Sequence, residues 1–196
     1  MDYQTRRQLQ SDHTRRAILD AAAKLTKEKG FEKVSVRDIC RCAGVTTGAF
    51  YHHFASKEDL LNQGFASMDA FMERTLEGSE TLPPLERLEK LLRLYAAFME
   101  DQGWETVALY YGRRLADPAA ESMSPSRYTL RAMADCLNTL ARQGILSPDY
   151  APQWTAEFLF RHFRGVVIDW ILHRGSYPLW PRLNQDYQLF NKAFRA

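Results

Sequence analysis

The chain has few cysteines, and this excludes the classes of protein that depend on many of them. Its 196 residues include three, Cys40, Cys42 and Cys136, which are too few for a disulfide framework. Cys40 and Cys42 lie two residues apart on one predicted helix, so their side chains point in different directions and do not chelate one metal ion together. We therefore expect no metal site, no cofactor, and reduced cysteines in the cytosol.

Long apolar runs are also absent. No window approaches the roughly 20 apolar residues of a membrane-spanning helix, and the N-terminal stretch MDYQTRRQLQ contains no apolar run of the kind found in signal peptides. Hydrophobic residues nevertheless make up 45% of the chain, which is enough to bury a core and is not the composition of a disordered chain. We expect a soluble, cytoplasmic protein that does not bind a membrane.

The sequence lacks the motifs that accompany common catalytic sites. It contains no glycine-rich phosphate loop, no HExxH or GxSxG motif and no clustered pair of acids. His52 and His53 are adjacent and face different ways, so they are not expected to share a metal ion. His162 and Asp169 fall on the same side of one predicted helix, which is the one weak pairing that an enzyme could use. We predict no catalytic residue and no enzymatic activity, with an enzyme as the rival hypothesis.

Strand patterns are missing, and helical patterns cover most of the chain. Five of the ten glycines follow a helical run as stop signals, and the prolines stand where helices begin or loops run. The pattern predicts an all-α fold of about nine helices. The predicted helices span approximately residues 12–29, 35–42, 46–53, 57–77, 84–101, 104–116, 125–143, 151–174 and 183–194.

The formal net charge of +2 conceals an uneven distribution of charge. Residues 1–57 hold eleven Lys/Arg and six Asp/Glu, a local excess of +5, whereas residues 58–196 have a local charge of −3. The positive charge thus lies in the N-terminal part, where a polyanion would need it. A solvated surface could carry the same excess without a partner.

The stretch 35–57, SVRDICRCAGVTTGAFYHHFASK, predicts two short helices around a tight turn. Ser35 and Asp38 form a capping box for the first of them, and Thr46 caps the second. Gly44 accepts the left-handed backbone that a turn between crossed helices needs. This is a helix-turn-helix, whose second helix usually enters the major groove of DNA. The spacing of Phe50 and Phe54 predicts core residues.

The predicted eighth helix, 151–174, is apolar on two opposite faces. Leu159, Phe163, Val166 and Trp170 share one face. The other face carries Trp154, Phe158, Arg161, Gly165, Ile168 and Leu172. A helix that is apolar on two faces must be covered on both. A second copy of the chain would cover one of them, with help from the ninth helix, 183–194; a central position inside a monomer is the alternative.

Aromatic residues concentrate in the C-terminal part. Nineteen of the 24 aromatic residues and all four tryptophans follow residue 60, and aromatic concavities with a few polar groups are typical of small-molecule sites. Plain core packing explains each aromatic residue equally well. The candidate pocket residues are Phe65, Met68, Phe98, Trp104, Tyr110, Tyr111, Arg114, Trp154, Phe158 and His162.

Residues 12–62 resemble the tetracycline-repressor (TetR) family of bacterial transcription regulators. The resemblance is carried by ILDAAAKLTKEKGF in the first helix and by VSVRDICRCAGVTTGAFYHHFASKEDLL after it. The Gly-Phe pair, the A-G-V turn, the aromatic run YHHF and the K-E-D-L-L start of the next helix all match. Beyond residue 62 the resemblance is architectural, to an all-helical domain that binds a ligand and forms a dimer.

The resemblance implies DNA contacts along the second and third helices. Ser35 and Arg37 would meet phosphates at the start of the second helix. Thr46 and Thr47 would lie at the N-terminus of the recognition helix, with Thr47 facing base edges, and Gly48 would allow a close approach to DNA. Hydroxyls, helix N-termini and cations are common phosphate partners.

Further contacts are implied at the end of the motif. Tyr51, His52 and His53 would flank the groove, with Tyr51 as the best phosphate partner, although it could instead pack against the first helix. Lys57 would pair with a phosphate. The recognition helix lacks Arg, Lys, Asn and Gln, which make bidentate base contacts, so readout would depend on threonine and on DNA shape.

Together these features predict a DNA-binding domain at residues 1–56 and a ligand-binding and dimerisation domain at residues 57–196. The implied function is a regulator, most simply a repressor, that binds a palindromic DNA operator as a homodimer and is released by a small-molecule effector. A DNA-binding dimer with a solid, ligand-free C-terminal core is a further alternative. The effector, the operator and the direction of regulation are left open.

Overall fold

The computed structural model describes residues 3–116 and 127–195, and the description of side chains omits residues 3, 4, 61–67 and 114. These ranges form nine α-helices and one short 3-10 turn, with no β-strand, which confirms the predicted all-α fold. None of their helices is both long enough and apolar enough to cross a lipid bilayer. The helices are α1 (Tyr3–Lys29), α2 (Val36–Ala43), α3 (Thr47–His53), α4 (Lys57–Leu76), α5 (Pro84–Gln102), α6 (Trp104–Ala116), α7 (Tyr128–Arg142), α8 (Pro152–Leu172) and α9 (Leu179–Ala193).

Two helices begin earlier than the sequence patterns predict. The first was expected near residue 12 because its apolar stripe begins late, but α1 starts at Tyr3. Residues 5–10 are exposed, and their Arg, Gln and Leu residues favour helix without an apolar stripe. The last was expected near residue 183, but α9 starts at Leu179. Pro181 lies in its first turn, where a missing N–H breaks no intrahelical hydrogen bond.

The chain divides into two compact units, one up to Ala66 and one from Ser67. This division falls inside α4, whereas the boundary predicted at 56/57 marks the start of that helix. In the first unit α1 packs against α2 and α3. The buried core of this unit consists of Ile18, Ala21, Ala22, Leu25, Val34, Ile39, Cys40, Phe50, Phe54 and Leu60.

The turn between α2 and α3 depends on Gly44. Its φ of 68° and ψ of 30° place it in the left-handed region, at the C-cap of α2, which glycine enters without the steric penalty of a side chain. The N–H of Val45 donates to the carbonyl of Cys40 at 3.0 Å, closing the end of α2. α3 therefore starts at Thr47, three residues after Gly44, and packs against α2.

The second unit is a bundle in which α5 packs against α7 and α9, and α7 packs against α8. One predicted face of α8 is buried: Leu159, Phe163, Val166 and Trp170 have little or no exposed surface. The indole N–H of Trp170 donates to the carbonyl of Tyr177 at 2.9 Å, which fixes the chain after the helix. The opposite face of α8 stays largely exposed in the single chain.

Candidate nucleic-acid interface and effector cavity

The N-terminus of α2 is fixed by a reciprocal capping box. The hydroxyl of Ser35 donates to Oδ2 of Asp38 at 2.6 Å, and the backbone N–H of Asp38 donates to the Ser35 oxygen at 3.2 Å. The hydrogen bonds from the Ser35 side chain and backbone lower the pKa of Asp38, which stabilises its charged form. Arg37, in the first turn, is exposed to solvent.

The N-terminus of α3 presents small polar residues to solvent. The Oγ1 of Thr46 accepts a hydrogen bond from the backbone N–H of Ala49 at 3.1 Å, so Thr46 is the N-cap. Thr46, Thr47 and Gly48 are all exposed. A Cβ atom at Gly48 would meet only the Thr46 Oγ1 at 3.8 Å. The fold itself therefore leaves room for a side chain at position 48.

The aromatic run at the end of α3 divides between surface and core. Tyr51 is 58% exposed, and its ring packs edge-on against the buried ring of Phe50 at 5.3 Å. His52 is exposed and His53 is half-buried. Burial lowers the pKa of His53, and the neighbouring charges of His52 and Arg15 add to this effect. His53 is thus favoured in its neutral form.

Lys57, a candidate for DNA contact, also forms hydrogen bonds within the first unit. Its Nζ donates to the carbonyls of Phe31 at 2.9 Å and Val34 at 3.1 Å, and it lies 4.4 Å from the centre of the Phe31 ring. An ammonium group has three N–H donors. These two hydrogen bonds leave one donor for a phosphate, so the predicted DNA contact and the structural contact are compatible.

A small cavity lies inside the second unit, among residues of α4, α5, α6 and α8 and the residue that precedes α7. Its volume is about 20 Å³, room for about one water molecule. Its described lining consists of Met68, Tyr95, Met99, Tyr110, Tyr111, Arg127, Phe160 and Arg164. Three of the predicted pocket residues, Met68, Tyr110 and Tyr111, are therefore brought together.

The other predicted pocket residues lie elsewhere. The side chains of Phe65 and Arg114 lie outside the part of the chain whose side chains are described. The ring of Phe98 packs against that of Phe71 at 5.7 Å. Trp104 lies against Gly175, where a Cβ atom would stand 3.1 Å from the indole. These contacts give Phe98 and Trp104 packing roles in the second unit.

Trp154, Phe158 and His162 belong to an aromatic cluster between α8 and α9. The rings of Trp154 and Phe158 stack at 5.2 Å, and Phe158 meets Phe190 edge-on at 5.5 Å. The Nε2 of His162 lies 3.0 Å from Oδ2 of Asp186. Trp154 remains 45% exposed. This cluster is part of a surface, separate from the lining of the cavity.

Comparison with known proteins decides the family. A family model described as bacterial regulatory proteins, tetR family, matches residues 18–63. The HTH-type transcriptional repressor KstR2 of Mycobacterium tuberculosis is 30% identical to the chain over 184 residues, covering 90% of this chain and 88% of the relative. The chain belongs to the TetR family. The family predicted from residues 12–62 is thus confirmed, and with it a DNA-binding function in transcription regulation.

Solved structures of TetR-like regulators share the fold. FadR of Thermus thermophilus, a TetR family transcriptional repressor in complex with lauroyl-CoA, has a TM-score of 0.63 and 22% identity, covering 89% of this chain and 92% of that one. A transcriptional regulator from Saccharomonospora viridis in complex with choline has a TM-score of 0.71 and 21% identity, covering 93% of this chain and 97% of that one. The curated relatives of this TetR-family chain are transcriptional regulators, which are not enzymes.

Sequence reasoning missed five of the residues that line the cavity in this TetR-family chain. Tyr95, Met99 and Phe160 lie on α5 and α8 in patterns that fit an ordinary core, and Arg127 and Arg164 resemble solvated arginines in the sequence. Helical spacing identifies the buried face of each helix. It does not show which buried residues from different helices meet, and this is what assembles a cavity.

Proposed function

We propose that this TetR-family regulator is a homodimeric repressor that binds a palindromic operator through α3 and is released by a small-molecule effector in the second unit. The observation that carries the proposal is the exposed edge formed by Thr46, Thr47, Gly48 and Tyr51 on a helix whose Phe50 is fully buried. The buried Phe50 anchors α3 in the core, while the polar edge of the helix stays exposed to solvent. A helix of this kind in a helix-turn-helix is positioned to enter a major groove.

The chemistry of this edge favours phosphate contacts over bidentate base contacts. The exposed Arg37 and the remaining donor of Lys57 would bind phosphates on either side of the groove. Thr47 supplies a hydroxyl and a methyl group, which can contact base edges and the thymine methyl. Sequence preference would therefore also depend on the shape of the DNA and on the distance between the half-sites.

A second copy of the chain accounts for the exposed face of α8. Ile168 is 38% and Leu172 is 75% exposed, Trp154 on the same face of α8 is 45% exposed, and Leu189 on α9 is 64% exposed. Burial of these side chains would stabilise a dimer by about 25 cal/mol per Å² of apolar surface. A two-fold dimer places two recognition helices about 34 Å apart, one turn of DNA.

The effector would bind at the cavity and act through α4. Solved TetR-like folds contain bound lauroyl-CoA and choline, which supports ligand binding in this architecture. α4 begins with Lys57 near the end of the first unit and carries Asp69 in the second, so a ligand that displaces α4 would also move the first turn of this helix in the DNA-binding unit. A coupling of about 1–3 kcal/mol would change operator affinity about 5- to 150-fold.

The small volume of the cavity favours a second candidate function. About 20 Å³ is far below the roughly 300 Å³ of a typical ligand pocket. A DNA-binding dimer with a permanently closed second unit would have this geometry. Operator affinity measured with and without a saturating concentration of ligand separates the two candidates. An unchanged affinity would support the closed second unit, whereas a weakened affinity would support release by an effector.

Selection of bound sequences from random DNA tests the proposed function. We expect an enriched palindrome whose half-sites lie about one helical turn apart, and a complex whose mass corresponds to a protein dimer. Enrichment of a single unpaired half-site, or retention of DNA without any sequence preference, would contradict the proposal.

A further inference from the structure

Among the described residues, the lining of the cavity contains two arginines and one of them has no ion-pair partner. Arg127 is paired: its Nε lies 2.9 Å from Oδ2 of Asp69, and its Nη2 donates to Oδ1 at 3.3 Å. Thr129 completes this group, because its hydroxyl donates to Oδ1 of Asp69 at 2.9 Å. The charge of Arg127 is thus neutralised by a carboxylate that is itself fully hydrogen-bonded.

Arg164 carries the remaining charge. Its guanidinium carbon lies 5.8 Å from the centre of the Tyr111 ring, which places the positive charge beside that side chain. Among the described residues it forms no ion pair, unlike Arg161 on the preceding turn of α8, which is paired with Glu157. A half-buried guanidinium next to apolar side chains is stabilised by an anion.

Two buried phenol groups beside Arg164 supply a further donor. The hydroxyl oxygens of Tyr95 and Tyr111 lie 3.2 Å apart, and either can be the donor in the single hydrogen bond between them. Each hydroxyl has one hydrogen, so this bond uses one and leaves the other. The described residues offer no further acceptor for it. Burial raises the pKa of both tyrosines, so both stay protonated and able to donate.

We propose that Arg164, together with the remaining hydroxyl hydrogen of the Tyr95–Tyr111 pair, binds the carboxylate of an effector whose remaining part is apolar. This inference rests on the proposed function, since it names the chemical class of the effector. A carboxylate accepts hydrogen bonds and donates none, which matches a site of donors alone. The guanidinium matches the two oxygens of a carboxylate in a planar, bidentate geometry.

The apolar part of the effector would displace flexible side chains. Met68, Met99 and Phe160 form the apolar part of the lining. Methionine has an unbranched, adaptable side chain, so Met68 and Met99 can change rotamer and enlarge the closed cavity. A ligand much larger than a water molecule therefore requires the methionines to move. Met68 lies on α4, and displacement of this helix is the proposed cause of weaker operator binding.

Matched pairs of ligands test the charge requirement directly. The probes are straight-chain alkanoates of four to twelve carbons and phenylalkanoates, each compared with its primary amide of nearly equal shape. Binding is measured by calorimetry on the full chain, and operator affinity is measured with and without each probe. We expect at least one carboxylate to bind about tenfold or more tightly than its amide.

Three variants separate the role of Arg164 from general effects on folding. Arg164→Gln should remove the preference for carboxylate over amide while leaving operator binding without ligand unchanged. Arg164→Lys should restore part of the preference, because it keeps the charge but not the planar fork. Arg131→Gln is the matched control, since Arg131 is an exposed arginine on α7, and it should behave like the parent.

The outcomes distinguish this inference from the proposed function. Equal binding of carboxylates and amides, no binding of any carboxylate at millimolar concentration, or an unchanged preference in Arg164→Gln would overturn the assignment of a carboxylate site. In each of these cases a selected palindromic operator would still support the proposed function. Absence of specific operator binding by the parent chain would instead reject the proposed function.

Discussion

At Gly48 the effect of a substitution on DNA binding can be separated from its effect on the stability of the fold. In the free protein a methyl group at this position would be in ordinary contact with Thr46, and alanine is the better helix former. Gly48→Ala should leave the free energy of unfolding unchanged or raise it by up to about 1 kcal/mol. If Gly48 lies against the DNA backbone, the same change should weaken operator binding about tenfold or more, which fluorescence anisotropy would measure.

Gly112→Ala provides the matched control for this prediction. Gly112 lies inside α6, where a Cβ atom would have nothing within 4 Å, so the variant should gain stability without losing operator affinity. An operator affinity of Gly48→Ala equal to that of the parent would remove Gly48 from the interface.

Lys57 differs from the other candidate contacts because its ammonium group is already bonded within the first unit. Removing its hydrogen bonds to Phe31 and Val34 leaves two carbonyls without their charged partner. Lys57→Met should therefore lower the free energy of unfolding by about 1–3 kcal/mol, besides weakening DNA binding. Chemical denaturation measures this, with the exposed Lys33→Met as the control. Unchanged stability of Lys57→Met would show that Lys57 has no role in the fold.

At the scale of the helices, the ion pair between Asp69 on α4 and Arg127 before α7 makes stability depend on pH. Burial raises the pKa of Asp69, but the hydrogen bonds and charge of Arg127 and the hydrogen bonds of Thr129 outweigh it, so the pKa lies below its ordinary value. A carboxylate whose pKa is lowered in the folded state stabilises the folded protein to its full extent above the unfolded-state pKa of about 3.9. This stabilisation declines as the pH falls below that value.

Asp69→Asn should accordingly be about 1–3 kcal/mol less stable than the parent at pH 7. The difference should be constant above about pH 5 and shrink as the pH falls below about 4. Denaturant titrations at a series of pH values measure it, with the exposed carboxylate variant Asp135→Asn as the control. A difference between parent and Asp69→Asn that does not change with pH would contradict the assignment.

The exposed face of α8 makes a further prediction at the same scale. Ile168→Glu would place a charge in the proposed dimer interface, and burying an unpaired charge costs several kcal/mol. We expect its dimer dissociation constant to rise about 100-fold or more and its operator affinity to fall. Sedimentation equilibrium measures the association. Leu115→Glu is the control, because Leu115 is 74% exposed on α6; equal association of both variants with the parent would exclude this face as the interface.

At the scale of the whole molecule, the sequence predicts the helices and the buried face of α8 well, since both depend on local spacing. Ser35, Gly44 and Thr46 act through neighbours a few residues away, so the capping box, the turn and the N-cap were all predictable. Phe163 and Trp170 were assigned to one face of α8 by helical periodicity, and both are buried. Capping and periodicity are properties of the chain before it folds.

The cavity was predictable only in part, because it is made by residues far apart in the sequence. Asp69, Arg127 and Thr129 meet across roughly 60 residues of chain, and no spacing rule connects them. Trp154 and His162 show the converse, because they were predicted as pocket residues from their type and lie in the cluster between α8 and α9. Composition identifies the kind of residue a pocket needs, and tertiary packing decides which ones reach it.

The most direct test of the account is a pair of selections from random DNA, one with the parent and one with Thr47→Ala. The central claim is that the exposed edge of α3 reads an operator. We predict that the parent enriches a palindrome and that Thr47→Ala enriches a palindrome with the same half-site spacing but altered base preferences within each half-site. Identical preferences for both proteins would contradict the claim that Thr47 faces the bases, and the absence of any palindrome with the parent would contradict the account as a whole.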